Sequence, residues 1–463
     1  MANLIIRNGT IVLADKQYQA DIKIVGEKIV EINSKLRKEK EDFQEIDAQG
    51  MHILPGGIDP HVHLSLPEYV PERHRWADDF ESGSKAALAG GITTLGCISV
   101  PDKGESPLGT IKRESEKAQK KLIADLMIHP VIMNPTQETV EEIPILAEKG
   151  CTTIKVFMVT DDFDCNTVNY LRVIEAAKKA NILTMIHCED NAIIKATCQS
   201  MIKNGKESLK NYADSRPVIS EEIATQRAVA ISEMTGAAMY VVHLSSKRAL
   251  DVCKQAKKRS LPIFVEGRPI FFYFTREEYQ KKTGPLFVVQ PPLRTEKDRE
   301  ALWEGVRDGS INTLATDHAP HTKEQKLDPS LNVSNLLPGI NELQVMLPMF
   351  YHRAVRLNKI SLERFVQLTS TNSAKLFGLY PKKGTIAIGS DADLVIWDLN
   401  EEREIKDTDM YSKAGFTIYH GDKTIGWPKI TIRRGEIVYQ EEKITASIGS
   451  GKILRRQIKK IEL

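Results

Sequence analysis

A chain of 463 residues is too long for a single small core and predicts one large domain with a smaller one, or two to three domains. Apolar residues make up 41% and charged residues 27%, with a formal net charge of +2, which excludes a disordered or fibrous chain. The charge balance and the lack of a basic patch interleaved with aromatics argue against a nucleic-acid partner.

The N-terminal "MANLIIRNGTIVLAD" has no basic segment followed by a long apolar run, and no stretch reaches the ~20 apolar residues of a membrane span. The expectation is a cytoplasmic chain with no membrane partner. Residues 3 to 55 alternate in the manner of short strands punctuated by Asn-Gly and Gly, as in "NLIIRNGTIV" and "ADIKIVGEKIVEI". The same style returns after about residue 385, in "GTIAIGSDADLVIWDL" and "KITIRRGEIVYQ", so residues 1–55 and 386–463 are expected to form one small, discontinuous β-sandwich domain.

Between them, residues 56–385 follow a different rhythm, in which a short apolar run gives way to a helical pattern. The runs are "GGIDPHVH", "GITTLGCISV", "DLMIHPVIM", "TTIKVFMV", "NILTMIHCE", "AMYVVHLS", "LPIFVEGRP" and "INTLATDHAP". Strands alternating with helices predict a parallel sheet covered by helices, and eight units fit an α/β fold of the (β/α)8 TIM-barrel type. A doubly wound open sheet is the alternative. The six cysteines, Cys97, Cys151, Cys165, Cys188, Cys198 and Cys253, include no CxxC pair and read as reduced structural thiols. The basic tail "KILRRQIKKIEL" reads as a solvated terminal segment.

Polar residues interrupt these runs at regular places: His61, His63, Lys155, His187, His243 and Asp317 all fall late in predicted strands. In a barrel those ends converge on one face, where barrel active sites lie. Period-two spacing puts His61 and His63 on one side of a strand, so both imidazoles can reach one ion. Alone, the pair also fits a structural role; with His187, His243 and Asp317 a metal site becomes the simpler reading, since each buried group would otherwise need its own partner. Lys155 is either one half of an ion pair or the site of carbamylation by carbon dioxide, which would turn an amine into a carboxylate able to bridge two ions. Two divalent ions about 3.5–4 Å apart would activate water, with Asp317 as ligand and proton acceptor. Imidazoles and carboxylates suit Zn, Mn or Co.

On these residues the chain resembles the amidohydrolase superfamily, and within it the cyclic amide hydrolases: dihydropyrimidinase/hydantoinase, allantoinase and dihydroorotase. The resemblance spans nearly the whole chain, through "GGIDPHVH", "AALAGGITT", "IKVFM", "IHCED", "VVHLSS", "ATDHAP" and "TSTNSAKLFGLYPKKGTIAIGSDADLVIWD". It implies a carbamylated Lys155, the metal ligands His61, His63, His187, His243 and Asp317, a binuclear centre that is usually zinc, a small cyclic amide as substrate, and a homo-oligomer, commonly a tetramer. "VPDKGESPLGTI" and "IGSGKILRR" resemble the hydantoinase/dihydropyrimidinase branch, while "QPPLR" and "NLLPGINE" match its substrate loops and imply that backbone groups near Gln290 and Asn335 hold the ring. Thr160 stands where that branch carries a tyrosine whose hydroxyl polarises the scissile carbonyl. "ATDHAPHTKEQK" is similar to dihydroorotase, and His321 matches a residue that binds the substrate carboxylate there. That family also uses an arginine where this chain has Ser65, and a Met-Pro-Asn segment where this chain has "ISVPD". Allantoinase is a further alternative, as is a non-enzymatic assembly protein of dihydropyrimidinase type. A mononuclear deaminase-like enzyme would leave Lys155 without a role.

Flanking residues carry plainer expectations. His74 and Arg75 lie on a loop after the first strand and read as solvated surface. Trp76 and Phe80 anchor that loop or simply pack beneath it. Arg268 faces the mouth or pairs with Glu266 or Glu277.

Overall fold

The computed structural model describes residues 3–37, 43–457, 460, 461 and 463. The alternating N-terminal runs form β1 (Asn3–Arg7), β2 (Thr10–Val12), β3 (Gln17–Gln19), β4 (Asp21–Val25), β5 (Lys28–Asn33), β6 (Phe43–Asp47) and β7 (His52–Pro55). Asn8, at φ 62°, turns β1 into β2 in a left-handed conformation that Asn tolerates well.

The eight central runs become β8 (Gly57–Val62), β9 (Ile92–Ser99), β10 (Asp125–Pro130), β11 (Thr153–Phe157), β12 (Leu183–His187), β13 (Met239–Val241), β14 (Ile263–Gly267) and β15 (Thr313–Leu314). They pair in parallel throughout, in the orders β10-β9-β8 and β11-β12-β13-β14-β15. Parallel bridges also join the outer strands of these two sheets, Val131 with Lys155 and Val62 with His318. At those places Ile132 N donates to Lys155 O at 2.9 Å and His63 N to His318 O at 2.8 Å. Helices such as Phe80–Ala89, Pro107–Gln119, Gln137–Glu148, Thr167–Lys179, Lys247–Lys258 and Glu296–Asp308 fill the connections, giving a mixed α/β chain.

After the helical region come β16 (Leu394–Glu404), β17 (Lys423–Arg433), β18 (Glu436–Gln440) and β19 (Lys443–Ile444). β16 pairs antiparallel with β7, Leu394 opposite Pro55 and Trp397 opposite His52. One seven-stranded sheet, β19-β18-β17-β16-β7-β2-β3, is therefore built from both ends of the chain. Its apolar face shares a core with the sheet β5-β4-β1-β6, where Leu4, Ile22 and Ile24 meet Ile53, Leu394 and Ile432.

Strand alternation decides which side chains enter the parallel layer. Leu183 and Met185 of β12 join Met127, Tyr240 and Phe264 in an inner cluster, whereas Ile186 packs toward the helices. His187 continues the inner set by period two. Likewise Ile154 and Val156 of β11 pack outward, which leaves Lys155 on the inner side with Thr153 and Phe157. Each fully buried aliphatic or Phe side chain contributes about 1.5–3 kcal/mol, so the alternation holds register firmly.

The basic tail departs from expectation. Residues 451–457 are not a solvated segment: Leu454 and Arg456 are buried, and Ile453 bridges Leu126 of β10. Arg456 donates to Ile128 O at 3.0 Å and Thr153 Oγ1 at 3.1 Å, so its guanidinium serves carbonyl and hydroxyl groups that the strands leave open. Residues 458, 459 and 462 of this tail lie outside the described residues. Among the described residues no helix is long and apolar enough to cross a membrane. All six cysteines are free, four of them buried.

Candidate metal centre and active site

The C-terminal ends of the parallel strands bring the polar residues of distant runs together. His61 Nε2 lies 3.4 Å and His63 Nε2 2.9 Å from Asp317 Oδ1. One ligand-capable atom from each of these three residues lies within 4.8 Å of the others. The His61 and His243 rings are 5.5 Å apart between centroids, and the His187 and His243 rings 4.6 Å. Lys155 is fully buried beside them, its Nζ 4.9 Å from the centre of the Phe157 ring.

Two of these residues are aimed by unusual backbone. His243 has φ 35° and Asp317 φ 49°, left-handed values that redirect a side chain just past a strand end. Such conformations cost on the order of 1–3 kcal/mol each and persist where surrounding contacts fix them. Here the main-chain N of His243 donates to Glu266 Oε1 at 2.7 Å, and Arg268 Nη2 donates to Asp317 O at 3.2 Å.

Burial sets the protonation states. It pushes His61, His187 and His243 below the ordinary imidazole range, and neighbouring Lys155 pushes all three the same way, leaving neutral rings with a lone pair to offer. Burial also lowers Lys155 to about 8, against the carboxylates of Glu266 and Asp317, which raise it. Burial alone would lift Asp317, yet the Arg268 guanidinium, followed by His61 and His63, holds it well below the carboxylate range.

Several buried atoms in this cluster have no hydrogen-bond partner: Lys155 Nζ, His63 Nδ1 and His243 Nδ1. Buried polar groups are almost always paired, so these atoms mark a place for a further partner. Neutral imidazoles with a carboxylate are a donor set that fits a divalent ion.

A second ring of groups, which the sequence did not single out as supports of the ligands, holds the first in place. Glu266, the buried acid of β14, accepts from His61 Nδ1 at 2.9 Å and fixes the ring so that Nε2 faces Asp317. Glu189 meets His187 Nε2 at 2.7 Å and is itself held by Arg216 Nε at 3.0 Å, which leaves Nδ1 as the free nitrogen of His187. Asp59 accepts from His61 N at 3.1 Å and from Thr316 Oγ1 at 2.6 Å, tying β8 to the segment after β15. A legible signal existed for Asp59 and Glu189, each a carboxylate two residues from a proposed ligand, whereas Glu266 lies in a run that carries no proposed ligand. Arg268 corrects an expectation, for its partners are Asp317 Oδ2 at 2.7 Å and Glu342 Oε2 at 3.5 Å. Glu266 is committed to His61 and His243, and Glu277 is exposed.

The cluster forms the floor of a cavity of about 540 Å³, walled by Leu66, Val70, Trp76, Phe157, Val159 and Leu336. The Trp76 ring lies 4.9 Å from that of His63, so Trp76 packs on the site, while Phe80 is buried at the start of its helix. His74 lines the cavity and is not merely solvated surface; Arg75 instead holds the loop, donating to Glu68 O at 2.7 Å. Gln290, Asn335 and His321 line it too. The Asn335 side chain is engaged by Asn332 N at 2.7 Å and Ser330 O at 3.2 Å, so what it can offer a ligand is main chain. Buried Lys326 donates to Val288 O, Leu337 O and Gly339 O at 2.7, 2.9 and 3.0 Å, fastening together the two segments that carry Gln290 and Asn335. Thr160 is not brought to this cavity: its hydroxyl accepts from Phe163 N at 3.2 Å and donates to Phe157 O at 3.1 Å, capping the helix Asp161–Cys165.

A model of the amidohydrolase family matches residues 52–438. A D-hydantoinase of Ralstonia pickettii is 33% identical over 98% of this chain and 99% of its own length. A D-hydantoinase of Geobacillus stearothermophilus is 34% identical over 98% of this chain and 96% of its own. Among solved structures, the dihydropyrimidinase from Brevibacillus agri NCHU1002 superposes with a TM-score of 0.92 at 31% identity, covering 98% of this chain and 99% of that one.

Proposed function

The chain belongs to the amidohydrolase family, and on that premise we propose that it is a metal-dependent hydrolase that opens a cyclic amide ring, of the hydantoinase/dihydropyrimidinase type. The observation that carries this reading is the convergence of His61, His63, His187, His243 and Asp317 around a buried lysine with no partner. In this reading those five residues and Lys155 hold two divalent ions, with zinc first and manganese or cobalt as alternatives. The neighbouring β ends form a domain of residues 1–55 and 386–463, and residues 56–385 form a closed (β/α)8 barrel, a closure supported by the bridges at Val131–Lys155 and Val62–His318.

A protonated amine would repel a cation, and carbamylation removes that conflict. With its pKa near 8, Lys155 offers a useful fraction of free amine. Its Nζ lone pair would form an N–C bond to carbon dioxide with release of an N–H proton, giving a carbamate anion that would offer oxygen ligands where the amine offered a positive charge.

Divalent ions in this donor set supply Lewis acidity, polarising a carbonyl and activating water near neutral pH. The chain's own groups do the rest. Gln290 and the main chain at Asn335 orient the ring amide, and Trp76 and Phe157 exclude bulk water from the floor. Asp317 takes a proton from the attacking water at Oδ1 and returns it to the ring nitrogen as the C–N bond breaks, so that water is added across the amide and the ring opens. Thr160, committed to its helix cap, takes no part in this scheme.

A second reading, a ring bearing a carboxylate as in dihydroorotase, is favoured by one observation: His321 lines the cavity with its Nδ1 buried and unpartnered. The test is to strip the protein with a chelator, reload it with zinc or manganese, and follow hydantoin and dihydroorotate opening in parallel. The proposal expects metal-restored turnover of hydantoin; restoration on dihydroorotate alone would favour the second reading.

A further inference from the structure

Arg268 is among the largest fully buried side chains, one residue beyond β14 and against Asp317, which lines the cavity. Its guanidinium makes two hydrogen bonds and one looser ion pair. Nη1 meets Asp317 Oδ2 at 2.7 Å, Nη2 donates to Asp317 O at 3.2 Å, and Nε faces Glu342 Oε2 at 3.5 Å. Glu342 is fixed in turn: its Oε1 accepts from Tyr419, and its main-chain N donates to His318 Nδ1 at 3.2 Å. The guanidinium thus grips side chain and main chain of a residue whose φ of 49° is disfavoured on its own.

The two oxygens of Asp317 are thereby separated by task. Oδ1 faces His63 Nε2 at 2.9 Å and His61 Nε2 at 3.4 Å, while Oδ2 is held by Arg268. We propose that Arg268 is a positioning residue for ring opening, which locks the rotation of the Asp317 carboxylate so that Oδ1 alone faces the histidine pair and the reacting groups. The proposal rests on the hydrolase reading given above. Arg suits the task because its planar fork fixes two acceptors at once, whereas a lysine ammonium holds charge without orientation.

The alternative is that Arg268 only neutralises two buried acids. Arg268→Lys, Arg268→Met and Glu342→Gln separate the two roles, measured on protein loaded with zinc and again with cobalt, with rates normalised to bound metal. Positioning predicts that kcat falls about 10- to 100-fold in Arg268→Met with KM little changed, that Arg268→Lys recovers only part of the loss, and that Glu342→Gln, which spares the grip on Asp317, loses far less. It also predicts that the visible spectrum of bound cobalt changes in Arg268→Met, because a ligand carboxylate has turned. Wild-type kcat in Arg268→Lys together with an unchanged cobalt spectrum would overturn the proposal. Should Arg268→Met fail to fold, the lysine variant and the spectrum still decide. If wild-type protein opens no ring yet the cobalt spectrum responds to Arg268, the hydrolase reading fails while the grip on Asp317 stands.

Discussion

The Nζ of Lys155 sits 4.9 Å from the centre of the Phe157 ring, buried and with no hydrogen-bond partner. Glu266 and Asp317 lie near enough to raise its pKa but are not bonded to it, so no ion pair holds the amine. The account therefore predicts a carbamate signal from Lys155 in protein equilibrated with 13C-labelled bicarbonate and metal. Lys155→Ala should lose that signal and most of the bound metal. Full metal content in Lys155→Ala, measured by elemental analysis, would contradict the carbamate.

Glu266 fixes the His61 ring and the main chain of His243 at once. Glu266→Gln keeps the shape but weakens both contacts, and should lower metal affinity about 10- to 100-fold, the usual cost of losing an outer partner of a ligating histidine. Chelator competition reads this directly; unaltered affinity would show that His61 needs no such support.

His321 gives a pH dependence with a definite sign. Burial lowers its pKa to about 3, so the folded protein keeps the ring neutral at pH values where the unfolded chain, near 6.5, has taken a proton. Stability from this group is complete above about pH 6.5 and is lost as pH falls toward 3, by about 2 kcal/mol between pH 7.5 and 5. Urea unfolding at those two pH values should show a smaller loss in His321→Gln than in wild type. Equal losses would mean that His321 is not held neutral.

Lys326 ties Val288, Leu337 and Gly339 by their carbonyls. Lys326→Met leaves Leu337 O and Gly339 O unmet, costing about 1–3 kcal/mol each before relaxation, while Val288 O keeps the Gly339 N–H at 2.9 Å. The segments carrying Gln290 and Asn335 should loosen, raising KM several-fold with metal content intact; a normal KM would remove Lys326 from the support of the cavity.

Much of the site was legible because period-two alternation and strand ends constrain polar residues tightly. A histidine continuing the Leu183–Met185 face can point only inward, and the spacing of His61 and His63 has one geometric meaning. What escaped depends on three-dimensional pairing. Glu266 and Arg268 are two residues apart, and a sequence pairs them naturally; the fold instead gives Glu266 to His61 and Arg268 to Asp317, across strands far apart in the chain. Thr160 stands where the resemblance puts a tyrosine, but position relative to Lys155 says nothing of a hydroxyl already taken by Phe163 N. The tail misled because its charges hide a buried Arg456 whose partners are Ile128 O, Thr153 Oγ1 and the sulfurs of Met127 and Cys151.

Ring opening by this chain is decided by one panel of hydantoin, dihydrouracil, allantoin and dihydroorotate offered to the zinc- or manganese-loaded protein, with Asp317→Asn as the blank. Wild type should open hydantoin or dihydrouracil and Asp317→Asn, whose remaining ligands still bind metal, should open neither. Equal turnover by the two proteins, or silence of the wild type across all four rings with two metals bound, would contradict it.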